Sequence, residues 1–296
     1  MELLTKLLRS QVALAGKLFD GFSVEKSRSS QEKLGEFMAY KYKPDVKCSK
    51  VPSSDFTAEY IVPEQIESNG IILYLHGGGY VSGKMNYAKG FATILAANNH
   101  IRVCCLEYRL APENKFPAAL DDACNAYLYL LENGYSSKNI VLCGESAGGG
   151  LVYALSLKLK ESGFPLPGGI IAISPWSDLT LSGSSYEENK EVDPSMTRER
   201  LQFYAECYTD TVDHPYVSPL FGDLTGLPPS LIFVGGAEIM LSDAVELHKK
   251  LLSSGCSSSL HIAPDMWHVY VLFDVKEFRG DYQCINAFLK EVLYGI

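Results

Sequence analysis

In the first 19 residues, apolar side chains fall at positions 3, 4, 7, 8, 12, 14, 18 and 19, interrupted by Lys6, Arg9, Gln11 and Lys17. That spacing is helical and predicts an amphipathic helix over 1–19, docked on the rest of the chain. Short apolar, mostly β-branched runs follow at 58–62, 71–75, 101–106, 140–143, 170–173, 231–234 and 260–262. Each has the length of a strand. Helical patterns lie between or after them at 87–98, 118–132, 149–162, 243–253 and 282–293. Strands alternating with helices call for the α/β class, with a mostly parallel sheet covered by helices on both faces. Two stretches break this rhythm. Residues 1–45 are helical and precede any strand, and residues 181–217 are polar, rich in Glu and Tyr, with a helix predicted over 197–208. Such additions to an α/β domain are candidates for a lid.

Composition narrows the setting. With 296 residues, 47% of them hydrophobic, and no visible linker, the chain is expected to fold as a single domain, 1–296. The formal charge of -9 and the lack of a basic stripe interleaved with aromatics argue against nucleic acid as a partner. A small-molecule substrate, uncharged or cationic, fits better. No signal-peptide pattern and no apolar run of about 18 residues is present, so no stable membrane insertion is expected. The eight cysteines stand singly or as the pair Cys104-Cys105, without CxxC spacing. They read as buried reduced thiols of a cytoplasmic protein that needs no metal. The sequence leaves a homodimer open.

The chemistry concentrates after two apolar runs. Gly144-Glu145-Ser146-Ala147-Gly148 links the run at 140–143 to a long helical pattern. It reads as a nucleophile elbow, in which a serine is held out of the sheet by a turn so tight that both glycines are needed. His76-Gly77-Gly78-Gly79 ends the run at 71–75 and can offer bare backbone N–H groups. A nucleophile and an oxyanion hole are the natural pairing.

Five short segments occur in a telling order: HGGGY at 76–80, YRLAPE at 108–113, GESAGG at 144–149, SPWSDLT at 174–180 and MWH at 266–268. On these the chain, from about residue 45 to 295, resembles the hormone-sensitive-lipase-like α/β-hydrolases. The resemblance implies an eight-stranded α/β-hydrolase sheet, a two-part helical cap from about 1–45 and 181–217, and carboxylic-ester hydrolysis through an acyl-enzyme without a cofactor.

Roles then attach to particular residues. Ser146 is the expected nucleophile and His268, in the loop after the last predicted strand, the expected base. The other histidines fit less well: His76 orders the glycine loop, while His100, His214, His248 and His261 read as solvated. The acid falls by position on Glu238, where the family usually carries aspartate, with Asp178 and Asp243 as rivals. By resemblance the oxyanion donors are Gly78, Gly79 and Ala147. Glu145 is expected to brace the elbow, and Arg109 and Glu113 to form an ion pair pinning their loop. Tyr80, Phe203, Tyr204, Tyr270 and Val271, together with Trp176 and Trp267, are candidate pocket walls. Bulky walls imply short acyl groups, acetyl to about hexanoyl. Arylamide deacetylation by the same machinery is a variant. The alternative from another class is a non-catalytic small-ligand receptor on the same fold, as in gibberellin receptors, where the base is replaced; retention of His268 favours the enzyme.

Overall fold

Side chains alternate across each central strand, and this alternation builds the layers. In the computed structural model, which describes residues 3–18 and 23–295, Ile71, Leu73 and Leu75 point into one hydrophobic cluster. Ile72 and Tyr74 point into another. Strands buried on both faces read as continuous apolar runs, which is why 71–75 and 140–143 carry no polar position.

The strands are β1 (Val46–Lys50), β2 (Thr57–Pro63), β3 (Ile71–Leu75), β4 (Arg102–Glu107), β5 (Ile140–Glu145), β6 (Gly169–Ile173), β7 (Ser230–Gly235) and β8 (Ser258–Ala263). They form one eight-stranded sheet in the order β1-β2-β4-β3-β5-β6-β7-β8. β2 pairs antiparallel with both its neighbours, and every other pairing is parallel.

The helices are α1 (Leu3–Leu18), α2 (Val24–Tyr40), α3 (Met85–Asn99), α4 (Ala118–Glu132), α5 (Ala147–Glu161), α6 (Ser185–Glu188), α7 (Arg198–Tyr208), α8 (Leu241–Ser253) and α9 (Arg279–Tyr294). Helices α4, α5 and α8 cover one face of the sheet, and α3 and α9 the other. Seven strands and the main helices follow the hydrophobic pattern to within a few residues. The predicted first helix is present as α1; positions 1, 2 and 19 of its pattern lie outside the described residues. None of the described helices is long and apolar enough to cross a membrane.

β1 has no counterpart in that pattern. Its residues after Val46 are all exposed, so an edge strand of sequence VKCSK carries no apolar alternation to reveal it. The cysteines are unpaired; Cys104, Cys105, Cys124, Cys143 and Cys256 are buried, whereas Cys48 on β1 is exposed.

Both stretches outside the rhythm pack on the body. Helix α2 lies backbone to backbone on α3, since a Cβ at Gly35 would sit 2.1 Å from the Asn86 carbonyl oxygen. The Glu32 carboxylate accepts from the N–H groups of Lys84 (3.1 Å), Asn86 (3.3 Å) and Tyr87 (3.1 Å) at the start of α3, a side-chain cap supplied by a neighbouring helix. Arg28 donates to the carbonyls of Val81 (2.8 Å) and Ala111 (3.0 Å) and pairs with Glu113 (2.7 Å). Glu113 therefore does not pair with Arg109 as expected: Arg109 instead reaches Asp122 on α4 at 2.8 Å. The loop is pinned from α2 and α4 rather than across itself. Ser27 of α2 and Tyr204 of α7 are hydrogen-bonded through their hydroxyls at 3.1 Å, joining the two added segments.

Candidate active site

Ser146 sits between β5 and α5 with φ 55° and ψ -121°. That backbone shape is rare for a side-chain-bearing residue and marks the strained tip of a tight turn. The turn has no room to spare: a Cβ on Gly144 would lie 2.3 Å from the Gly148 carbonyl oxygen, and one on Gly148 would lie 2.0 Å from that of Leu75. The Ser146 N–H donates to Ile173 (2.9 Å) and its carbonyl accepts from Trp176 (2.9 Å), tying the tip to the end of β6.

Three side chains from distant positions meet at this tip. The Ser146 hydroxyl lies 2.8 Å from His268 Nε2, and His268 Nδ1 lies 2.6 Å from Glu238 Oε2. With Nδ1–H donating to the carboxylate, Nε2 is left as the acceptor for the serine proton. Ser146 and His268 are 7% and 6% exposed and Glu238 is 0% exposed, so the acid end of the chain of bonds is sealed and the serine and histidine keep only slight exposure. The second carboxylate oxygen of Glu238 accepts from Ser174 Oγ (2.8 Å) and from the Gly235 N–H (2.5 Å). Ser174 Oγ in turn accepts from the Val269 N–H at 3.0 Å. One hydroxyl thus touches both the carboxylate and the residue that follows the histidine.

The rival carboxylates are engaged elsewhere. Asp178 accepts from the N–H and hydroxyl of Thr180 (2.8 and 2.5 Å) and of Ser182 (3.1 and 2.5 Å), closing its own loop. Asp243 accepts from the N–H groups of Ser177 and Asp178, each at 3.1 Å. Burial, and then the charge of Asp178, push the Asp243 carboxyl well above the usual range.

The glycine loop is braced from beneath. His76 Nδ1–H donates to the Gly77 carbonyl (2.7 Å), and its ring stacks on Tyr108 at 4.1 Å. Burial lowers the His76 pKa to about 4, so the ring is neutral at pH 7. Glu145 accepts from the Gly77 N–H and the Tyr74 hydroxyl, each at 2.5 Å. Gly78 and Gly79 adopt φ 109° and 63°, and Ala147 opens α5, where N–H groups have no acceptor within the helix.

Glu145 carries a pH signature. Burial raises its pKa to about 7, against the opposing pull of the Tyr74 and Gly77 hydrogen bonds. Between the ordinary 4.5 and about 7 the folded chain holds this proton more tightly than the unfolded chain does. Its contribution to stability is therefore full below the lower value and lost as pH rises through the upper one. Glu145→Gln should flatten that component. Urea midpoints at pH 5 and pH 8 check it, and an unchanged pH slope in the variant would contradict the assignment.

A family profile described as the α/β-hydrolase fold matches residues 72–272. An acetyl-hydrolase of Streptomyces hygroscopicus is 37% identical over 79% of this chain and 79% of its own. The crystal structure of an esterase from the bacterial hormone-sensitive lipase family aligns with 96% of this chain and 98% of its own, at 34% identity and a TM-score of 0.88. The chain belongs to the hormone-sensitive-lipase-like α/β-hydrolases. The solved structure of EstE5, soaked with p-nitrophenyl butyrate, aligns with 99% of this hydrolase and 99% of its own chain, at 33% identity and a TM-score of 0.91.

The expected pocket residues of this hydrolase do not all meet. Tyr80 (φ 63°) stacks face to face on Tyr208 at 3.8 Å, with Trp176 at 6.2 Å. Tyr204 packs directly against the glycine loop: a Cβ on Gly79 would meet its ring at 2.3 Å. Phe203 is partly buried beside Tyr204, with ring centres 6.0 Å apart. Tyr270 and Val271 instead belong to the cluster on the other face of the sheet, where Tyr270 packs edge-on against Phe278 at 5.0 Å. Trp267 joins that same cluster. Nearness to His268 in sequence placed these three among the walls; the short helical turn at Tyr270–Leu272 carries Tyr270 and Val271 into the core. Ser174 opens the SPWSDLT segment but nothing in the sequence ties it to Glu238, and Asn189 and Asp193, whose side chains hydrogen-bond the Glu238–Ile239 peptide, carry no such mark. Only the position of Ser174 directly after a strand hinted at a role.

Proposed function

We propose that this hydrolase cleaves short-chain carboxylic esters through an acyl-enzyme on Ser146. Ser146 Oγ attacks the ester carbonyl while His268 Nε2 takes its proton. The N–H groups of Gly78, Gly79 and Ala147 stabilise the oxyanion, and His268 returns the proton to the departing alcohol. Water then attacks the acyl-serine with His268 again as base, and collapse of the second intermediate releases the acid. Glu238 fixes the histidine tautomer and stabilises the imidazolium. The observation that carries this reading is the continuous pair of contacts, 2.8 Å from Ser146 to His268 and 2.6 Å from His268 to Glu238.

The chain is a carboxylesterase, consistent with its acetyl-hydrolase relative and its esterase structural neighbours. The preference for short acyl chains rests on the walls. Tyr80, Tyr208, Trp176 and Tyr204 are all buried and in mutual or loop contact, and an added methylene in a packed site costs about 1–3 kcal/mol. A series of 4-nitrophenyl esters from acetate to dodecanoate should give the highest kcat/KM between acetate and hexanoate, falling about tenfold or more by decanoate. A profile that stays level or climbs toward dodecanoate would rule out the short pocket.

A further inference from the structure

The turn carrying Glu238, between β7 and α8, is gripped from two directions. From the sheet side, Ala237 N–H donates to Met266 (3.0 Å) and Gly236 N–H to Ala263 (2.8 Å). From the opposite side comes the segment between α6 and α7. Asn189 Nδ2 donates to the Glu238 carbonyl at 2.9 Å and to that of Gly236 at 3.3 Å. Asp193 Oδ2 accepts from the Ile239 N–H at 2.8 Å. The Glu238 carbonyl and the Ile239 N–H belong to a single peptide unit, so these two side chains hold both ends of the plane that leaves the Glu238 Cα.

The grip is itself built. The N–H groups of Val192 and Asp193 donate to the Asn189 carbonyl at 3.0 and 2.9 Å, closing a turn between the two gripping residues. The other oxygen of Asp193 accepts from Ser195 N–H (2.8 Å), Ser195 Oγ (2.6 Å) and Met196 N–H (3.2 Å). Arg9 of α1 donates to the Val192 carbonyl at 2.7 Å and also to the carbonyl of Asp265, three residues before His268. The same segment thus touches the acid's turn directly and the histidine's loop through Arg9.

We propose that Asp193 and Asn189 are positioning residues for the acid, an inference that rests on Glu238 being the triad carboxylate. Glutamate has one more rotatable bond than aspartate, so its carboxylate meets the imidazole only if the main chain beneath it is fixed. The peptide held at both ends supplies that fixity. The segment at 181–217 therefore sets the proton-transfer geometry from behind, in addition to any part in covering substrate. A misplacement of about 1 Å in such an array can cost about 100-fold in rate.

The test compares Asp193→Ala, Asp193→Asn and Asn189→Ala with the wild-type chain on 4-nitrophenyl butyrate. Asp193→Ala and Asn189→Ala should each lose about tenfold in kcat with KM within about twofold. Asp193→Asn, which keeps an acceptor, should recover part of the loss. The acidic limb of the kcat/KM profile should move to lower pH in the alanine variants, because a histidinium whose carboxylate is displaced is less stabilised. In a Glu238→Ala background, Asp193→Ala should cost no further turnover, which a general loosening of the fold would not reproduce. If Asp193→Ala fails to fold, Asn189→Ala carries the same measurements. A raised KM with unchanged kcat and pH limb, or an equal loss with and without Glu238, overturns the inference. Near wild-type activity of Glu238→Ala alone would instead sink the acid assignment, so the two failures are distinguishable.

Discussion

Ser146→Ala is expected to lower the turnover of 4-nitrophenyl acetate by roughly 10⁵-fold or more, the scale on which removing a serine nucleophile acts elsewhere. The fold should survive. Alanine fills the same backbone position, and among the described residues the hydroxyl's side-chain partner is His268, so the loss is chemical rather than structural. What remains would come from the glycine loop and the helix N-terminus acting on a water attack. The steady-state rate and the urea midpoint should be measured together. A variant within about tenfold of wild type would show that Ser146 is not the attacking group.

The second large effect is expected at Glu238. Glu238→Ala should reduce kcat by about 10³- to 10⁴-fold, because the imidazole loses both the group that fixes its tautomer and the charge that balances its protonated form. Asp178→Asn and Asp243→Asn should keep turnover per folded molecule within about tenfold and lower stability instead. Asp178 spends its carboxylate on Thr180 and Ser182. Asparagine at 243 keeps an oxygen acceptor for the Ser177 and Asp178 N–H groups that Asp243 holds. Should either asparagine variant fall as far as Glu238→Ala at unchanged KM, the acid lies elsewhere.

How much of this was legible in the chain depended on whether the deciding contact was local. The parallel strands showed themselves because burial on both faces leaves unbroken apolar runs, and β1 stayed hidden because its side chains meet solvent. The elbow was readable from Gly144 and Gly148, whose crowding is a property of five consecutive residues. The contact of Glu238 with His268 was suggested only by position within a resemblance. The support around it was not: Ser174, Asn189 and Asp193 lie 64, 49 and 46 residues before the groups they touch, and no local pattern encodes such a meeting. The same limit explains Arg109 and Glu113. They stand close in sequence, but their partners come from residues 122 and 28.

The two hydrophobic layers give the site a further property. Ser146 is followed at once by α5, whose Ala147, Leu151 and Leu155 are rooted in the cluster on one face of the sheet. His268 is flanked by Trp267, Tyr270 and Val271, rooted in the cluster on the other. Donor and acceptor thus hang from opposite layers and meet over the rim of the sheet across 2.8 Å. A shear of one layer against the other by about 1 Å would leave nearly all secondary structure intact and yet carry this contact past hydrogen-bonding range. Catalysis is therefore a gauge of the registry between the layers, and on warming it should fade while spectroscopic signatures of the fold still look native.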